Sequence, residues 1–522
     1  MKRLLAIAIL LAACDKKPAS QTDHATPGSP ATASGDPARS PAEHGAQEAV
    51  AGDPCAKAHI EGSEVMPWIS DDLASALACA KLRKVPVVID EWAPWCHTCL
   101  SMQSTVFTDP SFKPDVDRFV FVALDTDKEV NADAVAKYPP SAWPTFYVIG
   151  EEQRGVGTPR ASPAGQGNSP EGSTGGRSDI VLARFVGAAS LAQFHAFLDA
   201  GQKAQQGGAA GADAHLLGAE RAIAMKDLAT AEQELAQALA QAPGDWARRP
   251  DALTSLISTK RRRNDIAGCL DVAEKSMGDT GNAAAATDFI VSALACTEAY
   301  KDERKDDAAS AGRIKKLRER AATRLDKLVA DASAPLSVDD RSDALATLRE
   351  VLDALGRSAE AKATAEKQRA LLDDAAAKAR TPMAAMTYNW QRCEVYTYLG
   401  KPLEMVPALE KSARDLPDQY DPRARLGWIY LQAGRLPEAA QWTDEALRMV
   451  YGPRKARVLG QRAEIAEKQH DAAGEKLFRQ ETVKLWESLP PGQANPDALA
   501  KAKKAVAALE APTASRIGAA GK

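Results

Sequence analysis

Two cysteines separated by two residues follow a strand-like apolar segment, and this arrangement constrains the chain more than any other feature. The strand is predicted over 85–89, the cysteines are Cys96 and Cys99, and a helix is predicted over 100–107. If Cys96 caps that helix, unpaired backbone N–H groups and the helix dipole favour its thiolate. Cys99, one helical turn later, is then close enough to attack a mixed disulfide formed at Cys96.

Three other interpretations of this pair are weaker. Zinc needs four ligands, and no second pair of cysteines at this spacing and no histidine cluster accompany the seven histidines. A disulfide that closes so short a loop restrains little of the unfolded chain, so stability alone explains it poorly. Two unrelated core cysteines are the third alternative, although Pro94 and Trp95 crowd the segment in a way that a helix interior does not. We therefore expect no metal and no cofactor other than a redox-active Cys96–Cys99 disulfide.

The segment 87–99 (VVIDEWAPWCHTC) resembles the active-site strand and helix start of the thioredoxin superfamily. The C-terminal domain of the transmembrane thiol:disulfide interchange proteins is the nearer likeness, because TVFTDP follows at 105–110. A second segment at 142–146 (AWPTF) resembles the cis-proline loop, which faces the dithiol in that superfamily. The resemblance covers roughly residues 56–203. It implies a thioredoxin fold and thiol–disulfide exchange with protein substrates.

The resemblance also implies roles for single residues. Cys96 is expected to be the nucleophile and Cys99 the resolving cysteine. A cis bond before Pro144 would expose the backbone of Trp143 for pairing with a substrate strand. Trp95 and Trp143 are expected to flank the sulfur atoms.

Asp90 stands where the family keeps a buried carboxylate at the end of the strand. Desolvation raises the pKa of such an acid, which suits it to exchange a proton with Cys99. A solvated or strand-capping aspartate is the alternative. Two departures from the family pattern leave the pKa of Asp90 open. The lysine that partners this acid in ordinary thioredoxins would fall near Ala123 and is absent, and Glu91 replaces an aromatic residue.

His97 and Thr98 form the dipeptide between the cysteines, which sets the redox potential in this family. A cation at His97 would stabilise the neighbouring thiolate and make the couple more oxidising. Against this, an exposed histidine with a pKa near ~6.5 is mostly neutral at pH 7. The dipeptide leaves the direction of electron flow open, and the resemblance favours a reductase.

The N-terminus has the pattern of an export signal. Residues 1–13 combine a basic start with an apolar run too short to span a bilayer, which needs about 20 residues. The sequence Leu11-Ala12-Ala13-Cys14 resembles a bacterial lipobox, which implies a lipid on Cys14 and a protein anchored to a membrane of the cell envelope, facing the periplasm. An ordinary signal peptide with a free Cys14 is the alternative. Residues 14–55 lack large apolar side chains and are expected to be a disordered tether.

The predicted elements after the tether follow the order of a thioredoxin fold. A leading helix capped near Asp72 precedes the strand at 85–89. Further strands are predicted at 118–124, 145–149 and 181–185, with helices at 131–138 and 190–200. A Gly-, Pro- and Ser-rich insertion at 151–178 separates the last two strands and is expected to be disordered.

The C-terminal part is rich in helix-forming residues with amphipathic spacing. After a linker at 204–213, residues 214–510 show a period of about 34 residues, that of tetratricopeptide repeats. Tyr396 and Tyr430 are 34 apart, as are Gly400 and Gly434. We expect six or seven helix pairs stacked as a solenoid, with a disordered tail at 511–522. Such arrays bind a protein partner in a groove, and a rigid scaffold is the alternative.

The remaining cysteines and charges give further expectations. Export places the chain in an oxidising compartment, where Cys269 could pair with Cys296 and Cys55 with Cys79, leaving Cys393 unpaired. The net charge of −4 gives no reason to propose nucleic acid. The basic run at 260–263 is interpreted as a solvated helix face.

The sequence therefore predicts an α/β thioredoxin fold followed by an all-α, tetratricopeptide-like solenoid. The functional hypothesis is an envelope-anchored thiol:disulfide oxidoreductase whose helical array recruits or positions a partner protein. The alternative is a repeat-based adaptor whose thioredoxin-like domain is mainly structural.

Overall fold

The computed structural model describes residues 55, 60–62, 65–150, 180–303 and 308–510. The predicted signal, the predicted lipidation site Cys14, the predicted tether apart from Cys55, the insertion and the tail lie outside the described residues. Within the described part, no helix is both long enough and apolar enough to cross a membrane.

A six-stranded mixed sheet forms the first domain, in the order β1-β2-β4-β3-β5-β6. Its strands are β1 (Ile60–Gly62), β2 (Pro67–Ser70), β3 (Val87–Trp92), β4 (Val120–Asp125), β5 (Thr145–Gly150) and β6 (Ile180–Val186). Strand β3 pairs in parallel with β4 and antiparallel with β5. It is buried from Val87 to Glu91, as expected of a strand covered on both faces. The strand that leads to the cysteines is therefore central in the sheet.

Five α-helices accompany this sheet: α1 (Leu73–Arg83), α2 (His97–Ser104), α3 (Asp115–Arg118), α4 (Ala132–Lys137) and α5 (Leu191–Gln205). The predicted thioredoxin fold is confirmed. The prediction missed β1 and β2, and it began β4 too early, because Arg118 ends α3. The closing helix also continues to Gln205, beyond its predicted end.

Local chemistry explains how the domain is fixed around β3. Asp72 caps α1, because its carboxylate accepts a hydrogen bond from the Ser75 N–H at 2.9 Å. The Cys55–Cys79 disulfide joins the residues before the sheet to α1, and it is one of the pairings that the sequence left open. On the opposite face, phenylalanines from β4, β5 and α5 form an aromatic core, in which Phe146 and Phe194 lie 5.1 Å apart.

A helical array makes up the rest of the described chain. Its helices are α6 (Gly211–Ala224), α7 (Leu228–Gln241), α8 (Arg249–Arg262), α9 (Ile266–Ser276), α10 (Ala284–Glu303), α11 (Ala308–Ala330), α12 (Val338–Ala354), α13 (Ser358–Lys378), α14 (Pro382–Met386), α15 (Asn389–Tyr398), α16 (Val406–Asp415), α17 (Asp421–Gln432), α18 (Leu436–Leu447), α19 (Arg454–Lys468), α20 (Ala472–Ser488) and α21 (Pro496–Glu510). Most of these helices form seven pairs, in agreement with the predicted six or seven. The pairs are α6/α7, α8/α9, α10/α11, α12/α13, α15/α16, α17/α18 and α19/α20. Gly400 and Gly434 have φ values of 77° and 73° and end equivalent helices, which only glycine does without strain.

The structure also settles the other cysteines, whose pairing the sequence left open. Cys269 of α9 is bonded to Cys296 of α10. Cys393 is free and buried. The interpretation of the basic run at 260–263 is wrong in part, because Lys260 contacts the carboxylates of Glu232 and Asp265 at 2.8 Å and is not freely solvated.

The array holds the sheet domain at several separated points. Near its start, Glu220 accepts a hydrogen bond from the Arg184 backbone N–H of β6, and Arg248 donates to the Arg184 carbonyl, both at 2.9 Å. Near its end, the Tyr451 hydroxyl donates to the Asp125 carboxylate of β4 at 2.5 Å. Since both ends of the array contact one domain, the array curves around that domain.

Candidate redox site

The two cysteines lie where the central strand passes into helix α2. Cys96 is the N-cap of α2, and the Cys99 N–H donates to its Sγ at 3.0 Å. The two sulfur atoms form a disulfide of 2.03 Å. The helix begins at His97, as expected if Cys96 caps it, so both cysteines are fixed by the first helical turn. After reduction, the N–H at Cys99 and the helix N-terminus would stabilise a thiolate at Cys96.

Three tryptophans surround the disulfide. Trp92, Trp95 and Trp143 pack around Cys96 and Cys99, and the rings of Trp95 and Trp143 meet edge to face at 5.2 Å. The expectation that Trp95 and Trp143 flank the sulfur atoms is confirmed. Cys96 is 4% exposed and Cys99 is 1% exposed. The disulfide is therefore secluded, and Cys96 is the more accessible of its two residues.

The tryptophan rings are held by polar contacts. The Trp95 indole N–H donates to the Asp127 carboxylate at 2.7 Å, and that of Trp143 donates to the Thr126 hydroxyl at 2.8 Å. From the helical array, the Arg454 guanidinium lies 4.2 Å from the centre of the Trp95 ring, which is cation–π geometry. The array thus contacts the same ring that covers the disulfide.

The predicted proline loop faces the disulfide. The Trp143–Pro144 peptide bond is cis, as the resemblance implied. The Pro144 carbonyl accepts a hydrogen bond from the Gly187 N–H at 2.9 Å, which fixes the loop against the end of β6. Because Trp143 packs on both cysteines, the loop and the dithiol form one site.

Two carboxylic acids are buried on β3, the strand that leads to the disulfide. Asp90 is 1% exposed, its Oδ1 has no hydrogen-bond partner, and desolvation raises its pKa to about 8. Ala123 of β4 lies opposite Asp90, which confirms that no lysine occupies that position. Glu91 is fully buried, and desolvation raises its pKa well above the ordinary value despite the nearby Arg184. Burial therefore places the pKa of Asp90 close to neutral pH.

Of the two states considered for His97, the structure favours the charged one. Its Nδ1 lies 3.0 Å from both carboxylate oxygens of Asp339, in the first turn of α12. The side chain of His97 is 24% exposed, and that of Asp339 is fully buried. Desolvation lowers the pKa of His97, but Asp339 and Asp343 outweigh it and raise that pKa to about 10. A histidinium therefore stands beside the disulfide at neutral pH.

The same cluster is the candidate metal-binding group in the described part of the chain. One potential ligand atom from each of His97, Asp339 and Asp343 lies within 4.8 Å of the others. His97 already bonds directly to Asp339, and the Gln391 amide donates to Asp343 at 2.7 Å. These contacts satisfy the cluster as an ion pair, so its geometry does not require a metal.

Several residues of the site escaped the sequence analysis. Asp339, Asp127 and Arg454 have no motif that links them to the cysteines. The one local signal is a capping box at Ser337, which predicts the start of α12 but not that its first turn contacts His97. The folded array alone brings Asp339 to a histidine 242 positions earlier in the chain.

Comparisons with known proteins agree with this architecture. Residues 68–148 match the family model for thioredoxin-like proteins. Among solved structures, a tetratricopeptide repeat protein from Parabacteroides merdae is 14% identical, with a TM-score of 0.36, over 57% of this chain and 98% of that one. The Cut9–Hcn1 hetero-tetramer of the APC/C is 12% identical, with a TM-score of 0.22, over 56% of this chain and 64% of that one. No curated protein sequence matches.

The two structural likenesses are too distant to carry any functional inference. The family match coincides with the strands and helices that position Cys96, Cys99 and Pro144. The remainder is the array of helix pairs, of which α15/α16, α17/α18 and α19/α20 begin at Asn389, Asp421 and Arg454, 32 and 33 residues apart. The chain therefore combines a thioredoxin-like domain with an array of tetratricopeptide-like helical repeats.

Proposed function

We propose that this protein is a thiol:disulfide oxidoreductase that exchanges electrons with protein substrates through Cys96 and Cys99. The observation that carries the proposal is the disulfide at the N-terminus of α2, packed against Trp143 of the cis-proline loop. The couple itself carries the two electrons, so the proposal needs no other cofactor. Lipid attachment at Cys14 would anchor the protein in the bacterial envelope, facing the periplasm.

The proposed reaction is two successive thiol–disulfide exchanges. In the reduced enzyme, the Cys96 thiolate attacks a substrate disulfide, forms a mixed disulfide and releases one substrate thiolate. Cys99, deprotonated, then attacks the Cys96 sulfur, releases the second substrate thiolate and closes the Cys96–Cys99 bond. The substrate gains two electrons and the enzyme loses two, and a dithiol reductant must restore the enzyme.

Asp90 would supply the proton transfer for the second exchange. Its raised pKa of about 8 lets it accept the proton of Cys99 and return it later near neutral pH. His97 and Thr98 would set the potential. A charged His97 favours the thiolate and so argues for a potential above the about −270 mV of thioredoxin. The reductase direction implied by the resemblance thus depends on the measured potential.

The helical array would recruit or position the substrate. It contributes Asp339 to His97 and Arg454 to Trp95, so it already forms part of the surroundings of the disulfide. Tetratricopeptide-like repeats commonly bind proteins, and the secluded sulfur atoms would restrict access to segments that the array admits.

The test is turbidimetric reduction of insulin by the full chain in the presence of dithiothreitol. We expect Cys96→Ser to fall to the uncatalysed rate and Cys99→Ser to trap a mixed disulfide at Cys96. The control Cys393→Ala removes a free, buried cysteine that packs in the core of the helical array and should keep wild-type activity. Equal rates for wild type and Cys96→Ser would contradict the proposal.

The burial of both sulfur atoms supports the second candidate, a repeat-based adaptor with a structural thioredoxin-like domain. That function predicts a normal phenotype when Cys96 and Cys99 are both replaced. It predicts loss of the phenotype when residues 214–510 are deleted. The insulin assay separates the two candidates, because the adaptor has no turnover.

A further inference from the structure

A cavity of about 180 Å³ lies between the thioredoxin-like domain and the helical array. One wall comes from Thr98 of the active-site helix and from Trp143 of the proline loop, and the other comes from α8, α10 and α12. The cavity therefore begins beside the disulfide and continues along a surface that the array supplies. It is smaller than the roughly 300–1,000 Å³ pockets that hold drug-sized ligands, and its size suits a single side chain.

More acidic than basic side chains line the cavity. The carboxylates of Asp288, Asp340 and Asp343 line the cavity, together with the guanidinium groups of Arg184 and Arg262. Arg184 is already engaged, because its Nε donates to the Tyr147 hydroxyl at 3.2 Å and its Nη2 to the Ser141 hydroxyl. Asp340 caps its own helix through the Ser337 N–H, and Asp343 accepts from Gln391.

Asp288 differs from the other two acids. Among the described residues, no hydrogen bond or ion pair joins its carboxylate to another side chain. Desolvation and the nearby Asp343, Asp340 and Asp251 raise its pKa to about 8, so Asp288 holds its proton at neutral pH unless a further cation approaches. The carboxylate lies against Gly187, where a Cβ would be 2.9 Å from Oδ2, and the Gly187 N–H bonds to the Pro144 carbonyl. An acid without a bonded partner thus stands at the proline loop.

Thr287 supplies a second, independent observation. Its side chain is 4% exposed and lines the cavity, and its hydroxyl has no hydrogen-bond partner. A buried hydroxyl without a partner is uncommon and costly, and a polar ligand would satisfy it. Thr287 precedes Asp288 on α10, so an acceptor and an unsatisfied hydroxyl face the same space.

We propose that this cavity binds a lysine or arginine side chain of the substrate, near the substrate's reactive cysteine, with Asp288 as its counter-charge. The inference rests on the proposed redox function and names the substrate class: segments in which a basic residue lies close to the disulfide. The disulfide would carry out the exchange reaction, and the cavity would select substrates with a basic residue. A cation there would neutralise Asp288 and offer a donor to the Thr287 hydroxyl.

The test uses short synthetic peptides dimerised through one central cysteine. Each carries a lysine at one of the three positions before or after the cysteine, and its matched partner carries norleucine, which keeps the length without the charge. The reductase rate, kcat/KM, is measured with the full chain. Binding of the same peptides with serine in place of cysteine is measured by calorimetry and needs no redox chemistry.

At the best position, we expect wild type to prefer lysine to norleucine by about tenfold in both measurements. Asp288→Asn should reduce the preference to within about twofold, and Thr287→Val should weaken lysine binding by about threefold. The control Asp279→Asn changes an exposed acid that does not line the cavity and should keep the full preference. No preference at any position, or a preference unchanged in both Asp288→Asn and Thr287→Val, would overturn the inference.

The two measurements distinguish this inference from the proposed function. A preference in binding without turnover of either peptide would support the cavity and contradict the oxidoreductase. Equal turnover of lysine and norleucine peptides, with equal binding, would support the oxidoreductase and contradict the cavity.

Discussion

His97, inside the CxxC motif, is bonded through Nδ1 to both carboxylate oxygens of Asp339 at 3.0 Å, and Asp339 belongs to a different domain. The charge next to the redox disulfide is therefore set by the helical array. In a thioredoxin-like domain without the array, the same histidine would lie in water with a pKa near ~6.5. The array thus acts on the chemistry of the site as well as on access to it.

The first prediction concerns this ion pair. Asp339→Asn should lower the pKa of His97 from about 10, because the main favourable charge is removed while burial remains. With a neutral imidazole beside it, the Cys96 thiolate is less stable, so the pKa of Cys96 should rise and the potential should fall by about 30 mV or more. The measurements are an NMR titration of His97 and the pH profile of Cys96 alkylation in the reduced protein.

The matched control for this ion pair is Asp374→Asn, which neutralises an exposed acid of α13. It should leave both pKa values unchanged. A His97 that stays fully protonated at pH 8 in Asp339→Asn would show that Asp339 does not hold its charge.

The second prediction concerns the free energy of unfolding that is lost by burying the Asp90 carboxylate. Its pKa is raised from 3.8 to about 8, so the folded state binds its proton more tightly than the unfolded state does. Stability is therefore lost as the pH rises from 4 to about 8, by about 1.4 kcal/mol for each pH unit in that window. Asp90→Asn should raise the free energy of unfolding at pH 8 by about 2 kcal/mol or more and change it little at pH 4. Urea denaturation at both pH values measures this.

The exposed Asp117 provides the control for Asp90, because Asp117→Asn should have little effect at either pH. Destabilisation by Asp90→Asn at pH 8 would mean that the carboxylate is stabilised by a partner. The same variant should also slow insulin reduction, since Cys99 loses its proton acceptor.

The third prediction concerns the contact between Gly452 of the helical array and Asp127 of the thioredoxin-like domain. Gly452 has a φ of 55°, and a Cβ there would lie 2.0 Å from the Asp127 carbonyl oxygen. Gly452→Ala therefore cannot keep this contact, and we expect destabilisation by about 2–4 kcal/mol from backbone strain and overlap. Because Asp127 holds Trp95 over the disulfide, reduction of Cys96–Cys99 by dithiothreitol should also accelerate.

A matched glycine separates this effect from a general one. Gly460 lies inside α19, with nothing within 4 Å of its virtual Cβ. Gly460→Ala should stabilise the protein slightly, by about 0.5–1 kcal/mol, and leave the reduction rate unchanged. If Gly452→Ala also stabilised the protein and left the reduction rate unchanged, the contact between Gly452 and Asp127 would not control the site.

The fourth prediction concerns the free cysteine. Burial raises the pKa of Cys393 to about 12, so its thiolate is scarce and shielded at pH 8. In the folded, reduced protein, iodoacetamide should label Cys96 and leave Cys393 unmodified, and Cys393 should react only after denaturation. Mass spectrometry of the digested protein locates the label, and rapid labelling of Cys393 in the folded state would contradict its burial.

Sequence patterns correctly predicted the elements that are fixed by interactions between neighbouring residues. The apolar run of β3, the helix start at Cys96 and the cap at Asp72 depend on neighbouring residues, so their patterns were readable. The resemblance also identified Trp143 and Pro144 correctly as a cis pair. The charge of His97 stayed open at the sequence level, because its ion-pair partner lies in another domain.

What the sequence could not show is how the two domains pack. Asp339, Arg454 and Asp288 each look like a solvated charge on an amphipathic helix, and only the curvature of the array brings them to the disulfide or to its proline loop. Curvature is the sum of small rotations between successive helix pairs, and no single motif encodes it. The short strands β1 and β2 were missed for a related reason: their role depends on pairing with β4.

The central claim is that the Cys96–Cys99 bond cycles between oxidised and reduced forms. The most direct measurement equilibrates the full chain in glutathione or dithiothreitol buffers of graded potential, traps free thiols with an alkylating reagent and counts them at Cys96 and Cys99 by mass spectrometry. We predict one reversible two-electron transition between about −270 and −120 mV. A bond that stays closed at every potential above about −300 mV, while the fold remains intact, would mark a structural disulfide and contradict the account.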